Sequence, residues 1–355
     1  MYDESAHEPL TEREWDSAFV ESAVREIVAD AEASLVDGFW PAHSLDVKDG
    51  DPGPWTTVYL GSAGVAWALQ RLGSSLDLAP IVDRALRRFR EAPDPAPEPA
   101  ALFLGESGIL LVAHVLGAGD DDRLRELVVA NERNPTWELF WGSPGTMLAA
   151  RECGFAAEYE RSAELVVEQW DGLWTQVING RTSQMLGPAH GYVGNVHALR
   201  GFLDDDELSR RVEPTLRRLA VIDGDVVNWP PVPGDDCTRT QWCHGAPGIV
   251  ATIGDLLPED LLLGGAELTW RAGPLAKGPG LCHGTAGNGY ALLRTYALTG
   301  DELWLERARR FAMHALEQVA RAPGRYSLFT GDIGAALFAR SCLEQDARFP
   351  TMDVW

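Results

Sequence analysis

The sequence predicts an all-α fold, an (α/α) toroid of seven helical hairpins with about fourteen helices in an inner and an outer ring. Three observations carry this. A Gly-x-x-Gly pair opens an apolar helical stretch seven times along the chain. Successive pairs are 37 to 54 residues apart, which suits two helices of about four turns and a connection. Segments that are apolar all round alternate with segments that are apolar along one stripe.

In chain order the pairs are Gly61/Gly64, Gly105/Gly108, Gly142/Gly145, Gly191/Gly194, Gly245/Gly248, Gly284/Gly287 and Gly331/Gly334. Behind the first two, residues 65–72 and 109–116 are apolar almost all round and so belong to buried inner helices. Between the sixth and seventh, Trp304, Ala308, Phe311, Ala312, Ala315 and Val319 form one stripe of an outer helix. The repeat between Gly248 and Gly284 is the weakest. Pro258, Gly264, Gly265 and Gly273 interrupt its outer helix, which is expected to be short or broken, with an amphipathic piece over residues 267–271. Proline-rich residues 91–100 and 229–236 read as loops, because the repeat continues on both sides. The chain is expected to be a single domain over 1–355, with residues 1–12 a loosely held arm.

Composition narrows the function. In 355 residues, 45% are hydrophobic and 23% charged, enough apolar material for a large core. Apolar runs such as 109–113 are too short to span a membrane, and the acidic start lacks the order of a signal peptide; a cytoplasmic protein is expected. A formal charge of −23 opposes a phosphate backbone, so no nucleic-acid partner is expected. Five cysteines, an odd number widely spread, are expected to be reduced.

Ring closure would gather the seven glycine turns at one end, with inner-helix N-termini and unpaired N–H groups pointing there. Such a mouth favours thiolates and developing oxyanions. Close packing at a crowded turn also explains glycine, and both explanations stand. The residue before each pair is Leu60, Leu104, Trp141, His190, His244, His283 or Thr330, which places three of the chain's eight histidines at the mouth. Cys243 and Cys282 adjoin two of them. These matched Cys-His dipeptides could share one ion: zinc takes four Cys or His ligands in structural sites, or three and an open position in catalytic ones. Spacing does not choose between those arrangements, and two buried thiols beside packed histidines is the metal-free alternative.

Trp242-Cys243-His244-Gly245-Ala246-Pro247-Gly248 and Cys282-His283-Gly284-Thr285-Ala286-Gly287-Asn288 resemble the signatures of the lanthionine synthetase C (LanC) and LanC-like family. The match extends to Tyr59-Leu60-Gly61-Ser62-Ala63-Gly64, Ala189-His190-Gly191, Ser327-Leu328-Phe329-Thr330-Gly331 and Ala347-Arg348-Phe349-Pro350, essentially the whole chain. The C-terminal pieces are closer to the stand-alone LanC-like branch. This resemblance implies Zn²⁺ held by Cys243, Cys282 and His283 with a fourth position open, and His244 not a ligand. It implies that His190 is the acid/base histidine and that Arg239 matches an arginine near the metal. The acidic position four before the third glycine pair is Asp in cyclases and Glu138 here. Lys277, one of only two lysines, matches a residue that contacts glutathione in the glutathione-binding branch.

The implied activity is zinc-dependent activation of a thiol for addition to dehydroalanine or dehydrobutyrine in a peptide or protein, by lanthionine cyclisation or addition of glutathione. His190 would protonate the α-carbon, while Arg239 or inner-helix N–H groups stabilise the enolate. The alternative is a non-catalytic zinc- or thiol-binding scaffold or sensor on the same toroid. A glycoside hydrolase would need a positioned carboxylate pair, which the mouth positions lack. His114 and His197 read as core histidines, Cys153 and Cys342 as small buried hydrophobes, and Cys237 as a spectator thiol.

Overall fold

The computed structural model describes residues 1–47, 50, 53–94, 98–178 and 180–355; part of the expected loop 91–100, residues 95–97, lies outside them. Among the described residues there are fourteen α-helices, numbered in chain order. The outer ones are α1 (Ser17–Ala33), α3 (Ala79–Glu91), α5 (Asp121–Asn131), α7 (Ala156–Glu168), α9 (Asp205–Leu219), α11 (Glu259–Ala272) and α13 (Glu302–Arg321). The inner ones are α2 (Ser62–Leu72), α4 (Glu106–Val115), α6 (Ser143–Glu152), α8 (Tyr192–Ala198), α10 (Ala246–Ile253), α12 (Thr285–Thr299) and α14 (Asp332–Glu344). Each inner helix touches the next, and α14 touches α2, so the ring is closed rather than an open solenoid.

The glycine repeat builds this ring. The first glycine of every pair is the N-cap of an inner helix. At the second glycine of every pair, a Cβ would lie 1.7–2.3 Å from the carbonyl oxygen six residues earlier. Only glycine lets each loop fold back so tightly on the first turn of its helix. The outer helices begin differently: Asp16, Asp120, Asp204 and Asp301 cap α1, α5, α9 and α13 through their side chains. Outer helices bury one face, as expected for α13, where Trp304, Ala308, Phe311, Ala312, Ala315 and Val319 are all buried. Each large apolar side chain so buried contributes about 1.5–3 kcal/mol.

The all-α class stands, and three details differ from the sequence reading. First, α11 is continuous over fourteen residues. Pro258 and Gly273 mark its ends, and its internal glycines serve packing: a Cβ at Gly264 would lie 2.5 Å from Val227 Cγ2, and one at Gly265 2.8 Å from Val250 Cγ2. Second, two antiparallel hairpins interrupt the helical pattern, β1 (Gln176–Ile178) with β2 (Arg181–Ser183) and β3 (Val221–Asp223) with β4 (Val226–Asn228). Strands of three residues are too short to show alternation in a sequence. Third, residues 1–12, expected as a loose arm, are packed down. Glu8 N–H donates to Pro274 O and Ala276 N–H to Ala6 O, both at 3.0 Å, and His7 Nε2 lies 2.7 Å from Thr240 Oγ1. Among the described residues, no helix is long and apolar enough to cross a membrane.

Candidate functional site

The loops ahead of the inner helices stack side chains in layers. Two residues before each first glycine stand Tyr59, Phe103, Phe140, Ala189, Cys243, Cys282 and Phe329. Tyr59 packs on Phe140 and on Phe329, each with ring centroids 5.1 Å apart, and Phe103 packs on Phe140 at 5.0 Å and Phe329 at 5.3 Å. The repeat thus lays an aromatic floor on one side and two sulfurs on the other. One residue further on, the layer of Leu60, Leu104, Trp141, His190, His244, His283 and Thr330 is half-exposed at every position except buried Thr330. These are the side chains expected at the mouth.

One ligand atom each from Cys243, Cys282 and His283 lie within 4.8 Å of one another. Cys243 N–H donates to Cys282 O at 3.1 Å and Cys282 N–H to Phe329 O at 2.8 Å, which ties three successive loops together. Gly245 adopts φ +97°, and a Cβ there would lie 2.1 Å from Arg239 O, so this turn beside Cys243 requires glycine. Asn228 holds the same turn: its amide donates to Arg239 O, and its Oδ1 accepts from Ala246 N–H.

The two buried sulfurs interact with one another. The Cys282 thiol hydrogen-bonds Cys243 and pushes the Cys243 pKa down, while the same bond pushes Cys282 up; burial opposes the charge on both. Gln241 Nε2 donates to Cys243 Sγ at 3.0 Å, and the Tyr59 hydroxyl hydrogen-bonds the Cys282 sulfur. Two cysteine sulfurs and an imidazole converging from successive loops are a donor set that zinc prefers, and such an ion would bind both sulfurs as thiolates. His244 lies outside this group. Its Nδ1 is buried without a hydrogen-bond partner among the described residues, and its ring is 6.5 Å from that of His190.

His190 and Glu138 meet between two successive glycine loops. His190 Nδ1 lies 2.8 Å from Glu138 Oε2, and that oxygen also accepts from Phe140 N–H at 2.9 Å. Glu138 Oε1 accepts from Trp141 N–H at 2.6 Å and Gly142 N–H at 3.2 Å, so the fully buried carboxylate is held by its own loop. Trp137, just before it, adopts φ +42°, a strained turn that reverses the chain there. The His190 ring stacks on Trp141 with centroids 5.1 Å apart. Burial works against charge on His190, but the hydrogen bond and charge of Glu138, with the more distant Cys243 sulfur, outweigh it and raise its pKa.

Arg239 is exposed, close enough to His244 to depress its pKa behind the larger effect of burial, and its side chain makes no hydrogen bond or ion pair among the described residues. Lys277 is also exposed and bounds a small crevice with His283, Arg325, Phe329 and Thr330. A groove of about 250 Å³ continues from it, lined by Glu8, His43, Arg321 and Asp332 among others.

A model of the lanthionine synthetase C-like protein family matches residues 46–354. The chain belongs to that family. Among its relatives, this LanC-like chain is 33% identical over 187 residues to "Glutathione S-transferase LANCL1" of Danio rerio, across 46% of each protein. It is 32% identical over 187 residues to "LanC-like protein GCL1" of Arabidopsis thaliana, across 47% of this chain and 43% of that one. These matches span just under half the length of each relative. Among solved structures, nisin cyclase superimposes with a TM-score of 0.62 at 13% identity, over 91% of this chain and 94% of that one. At that identity the likeness concerns the fold, and it agrees with the closed ring.

The motif around Tyr59 does not reveal its contact with Cys282, nor does the sequence show those of Gln241 with Cys243 and Trp141 with His190. Tyr59 occupies the same register as Cys243 and Cys282, so comparison of the repeats two residues before each glycine would have found it. Gln241 reaches Cys243 through the tight turn in which Gln241 N–H and His244 O bond at 3.0 Å. Nothing in the repeat signals that turn. The expected electropositive mouth is weaker than ring closure suggests, because loop carbonyls use inner-helix donors: Thr285, Ala286 and Gly287 N–H go to Gly278, Pro279 and Gly280, and Tyr192 and Val193 N–H to Met185 and Leu186. His197 is a buried core histidine as expected, whereas His114 is half-exposed and pairs with Asp121 at 2.8 Å. Cys342 is fully buried; Cys153 is half-buried.

Proposed function

We propose that this LanC-like chain is a zinc-dependent carbon–sulfur bond-forming enzyme that adds a thiol to a dehydroalanine or dehydrobutyrine residue. The observation that carries the proposal is the convergence of Cys243, Cys282 and His283 beneath a mouth that also presents His190. These three residues would hold the ion, and bound zinc would lower the pKa of an incoming thiol while leaving its sulfur nucleophilic. The sulfur attacks the β-carbon, a C–S bond forms, and the π electrons move to an enolate. His190 has its Nδ1 fixed by Glu138, leaving Nε2 to deliver a proton to the α-carbon. Arg239, which pairs with no carboxylate among the described residues, is a cation available to the enolate oxygen. The loop N–H groups of α12 are already spent and do not serve that role.

The thiol donor favoured is glutathione rather than a cysteine of the same peptide. Lys277 has no carboxylate partner among the described residues and bounds both the crevice beside His283 and the groove lined by Arg321 and Arg325. Arg321 and Arg325 are paired with Glu8 and Asp46, so Lys277 is the cation of that groove left to meet a carboxylate of a short acidic thiol peptide. The relative named as a glutathione S-transferase supports the same reading. Incubation of the purified chain with glutathione and a dehydroalanine peptide tests it: mass spectrometry should show one glutathione added, at a rate well above that with His190→Ala, and no enzyme-dependent adduct would contradict it.

A further inference from the structure

We infer that residues 347–355 are a plug inside the ring that positions Cys243 for metal binding, with Phe349 acting through Trp242. The inference rests on the reading of Cys243 as a metal ligand.

The segment carries the Ala-Arg-Phe-Pro motif, which the proposed chemistry leaves unused. Phe349, Thr351 and Met352 are fully or almost fully buried, so this is core rather than a surface tail. Phe349 stacks on Trp242 with centroids 4.7 Å apart and planes within 8°, and Trp242 is the residue before Cys243. Trp242 itself lies 5.9 Å from Phe329, whose carbonyl accepts from Cys282 N–H. A single aromatic contact therefore bears on the backbone that carries both cysteines. On the other side of the ring, Trp355 packs on Phe103 at 6.4 Å and on Trp67 at 6.1 Å, and Phe103 belongs to the aromatic floor of the site.

The plug is anchored away from the mouth. His197 Nε2 lies 3.0 Å from Met352 O, Arg294 pairs with Asp353, and Asp353 Oδ2 also accepts from Phe349 N–H at 2.7 Å. His197 and Arg294 lie in the C-terminal halves of α8 and α12, at the far ends from the glycine loops. The chain reverses at Thr351, a β-branched residue at φ +62°, with Thr351 N–H donating to Val354 O at 2.9 Å. Backbone strain of that kind persists where surroundings fix it, and here it turns both aromatic ends toward the ring interior.

The test compares zinc affinity, measured by competition with a chromophoric chelator, in the full chain and in Phe349→Leu, Phe349→Ala, Phe311→Leu and Cys243→Ser. Phe311 is another fully buried phenylalanine, packed on Trp270 in the outer layer, so its loss matches the general cost of trimming the core. Both Phe349 variants should bind zinc about 10- to 100-fold more weakly. Phe311→Leu should lower the melting temperature and leave zinc affinity unchanged. Wild-type affinity in Phe349→Leu overturns the inference, as does an equal loss in Phe311→Leu; if Phe349→Ala does not fold, Phe349→Leu decides. Stoichiometric zinc in Cys243→Ser would instead overturn the ligand reading, and the inference with it.

Discussion

Glu138 Oε2 lies 2.8 Å from His190 Nδ1, and every other hydrogen bond that carboxylate makes is to backbone N–H of its own loop. The pair fixes the orientation of the ring and raises its pKa against the effect of burial. In the proposed mechanism Glu138 would act through His190, as a positioning residue.

Glu138→Gln keeps a hydrogen-bonding group and removes the charge. The His190 pKa should fall, seen by NMR titration, and turnover should drop by about 10- to 100-fold with the alkaline limb of the pH profile moved down. Because the folded-state pKa is raised, the pair stabilises the fold fully below the unfolded pKa, and that contribution is lost as pH rises through the folded value. The stability difference between wild type and Glu138→Gln should accordingly be larger at pH 5 than at pH 9, as read by denaturant unfolding.

His197 has the opposite sign. Burial, opposed by Asp353, depresses its pKa to about 4, so the unfolded chain binds a proton that the folded chain refuses. Stability should decline as pH falls from about 6.5 to about 4, by on the order of 3 kcal/mol in that window. His197→Gln should flatten this dependence in urea titrations across pH.

Gly245→Ala forces a side chain into a left-handed turn and against the Arg239 carbonyl. Destabilisation of at least about 2 kcal/mol is expected by chemical denaturation, together with weaker zinc retention. Gly300→Ala, at φ +69° with open space around it, should show strain alone and leave zinc unaffected.

Lys277→Ala should raise KM for glutathione about tenfold with little change in kcat, since Lys277 bounds the groove proposed to hold the thiol peptide rather than the reacting atoms. Arg239→Ala should do the reverse, lowering kcat by about a hundredfold at similar KM. Steady-state kinetics with a dehydroalanine peptide separate the two.

Much of the fold was legible because one steric requirement repeats. Each second glycine is needed at the same close approach, so seven loops carry the same pair and the ring can be counted from them. The mouth was legible for the same reason, since equal register put His190, His244 and His283 at equivalent positions. What stayed hidden depends on contacts between distant loops. Gly264 and Gly265 read as helix breakers because Val227 and Val250, the groups they make room for, are remote or of unknown orientation in a sequence. The Glu138–His190 bond joins residues 52 positions apart. The packing of residues 1–12 rests on His7 and Glu8 reaching elements more than 200 residues away.

Metal analysis of the purified chain beside Cys282→Ala is the most direct test of the account. One zinc per wild-type chain, and less than about a tenth of that in a folded Cys282→Ala, is the result expected when a thiolate ligand is removed. Wild-type protein that binds no stoichiometric zinc, or a variant that keeps it, would contradict the convergence of Cys243, Cys282 and His283 on a single ion.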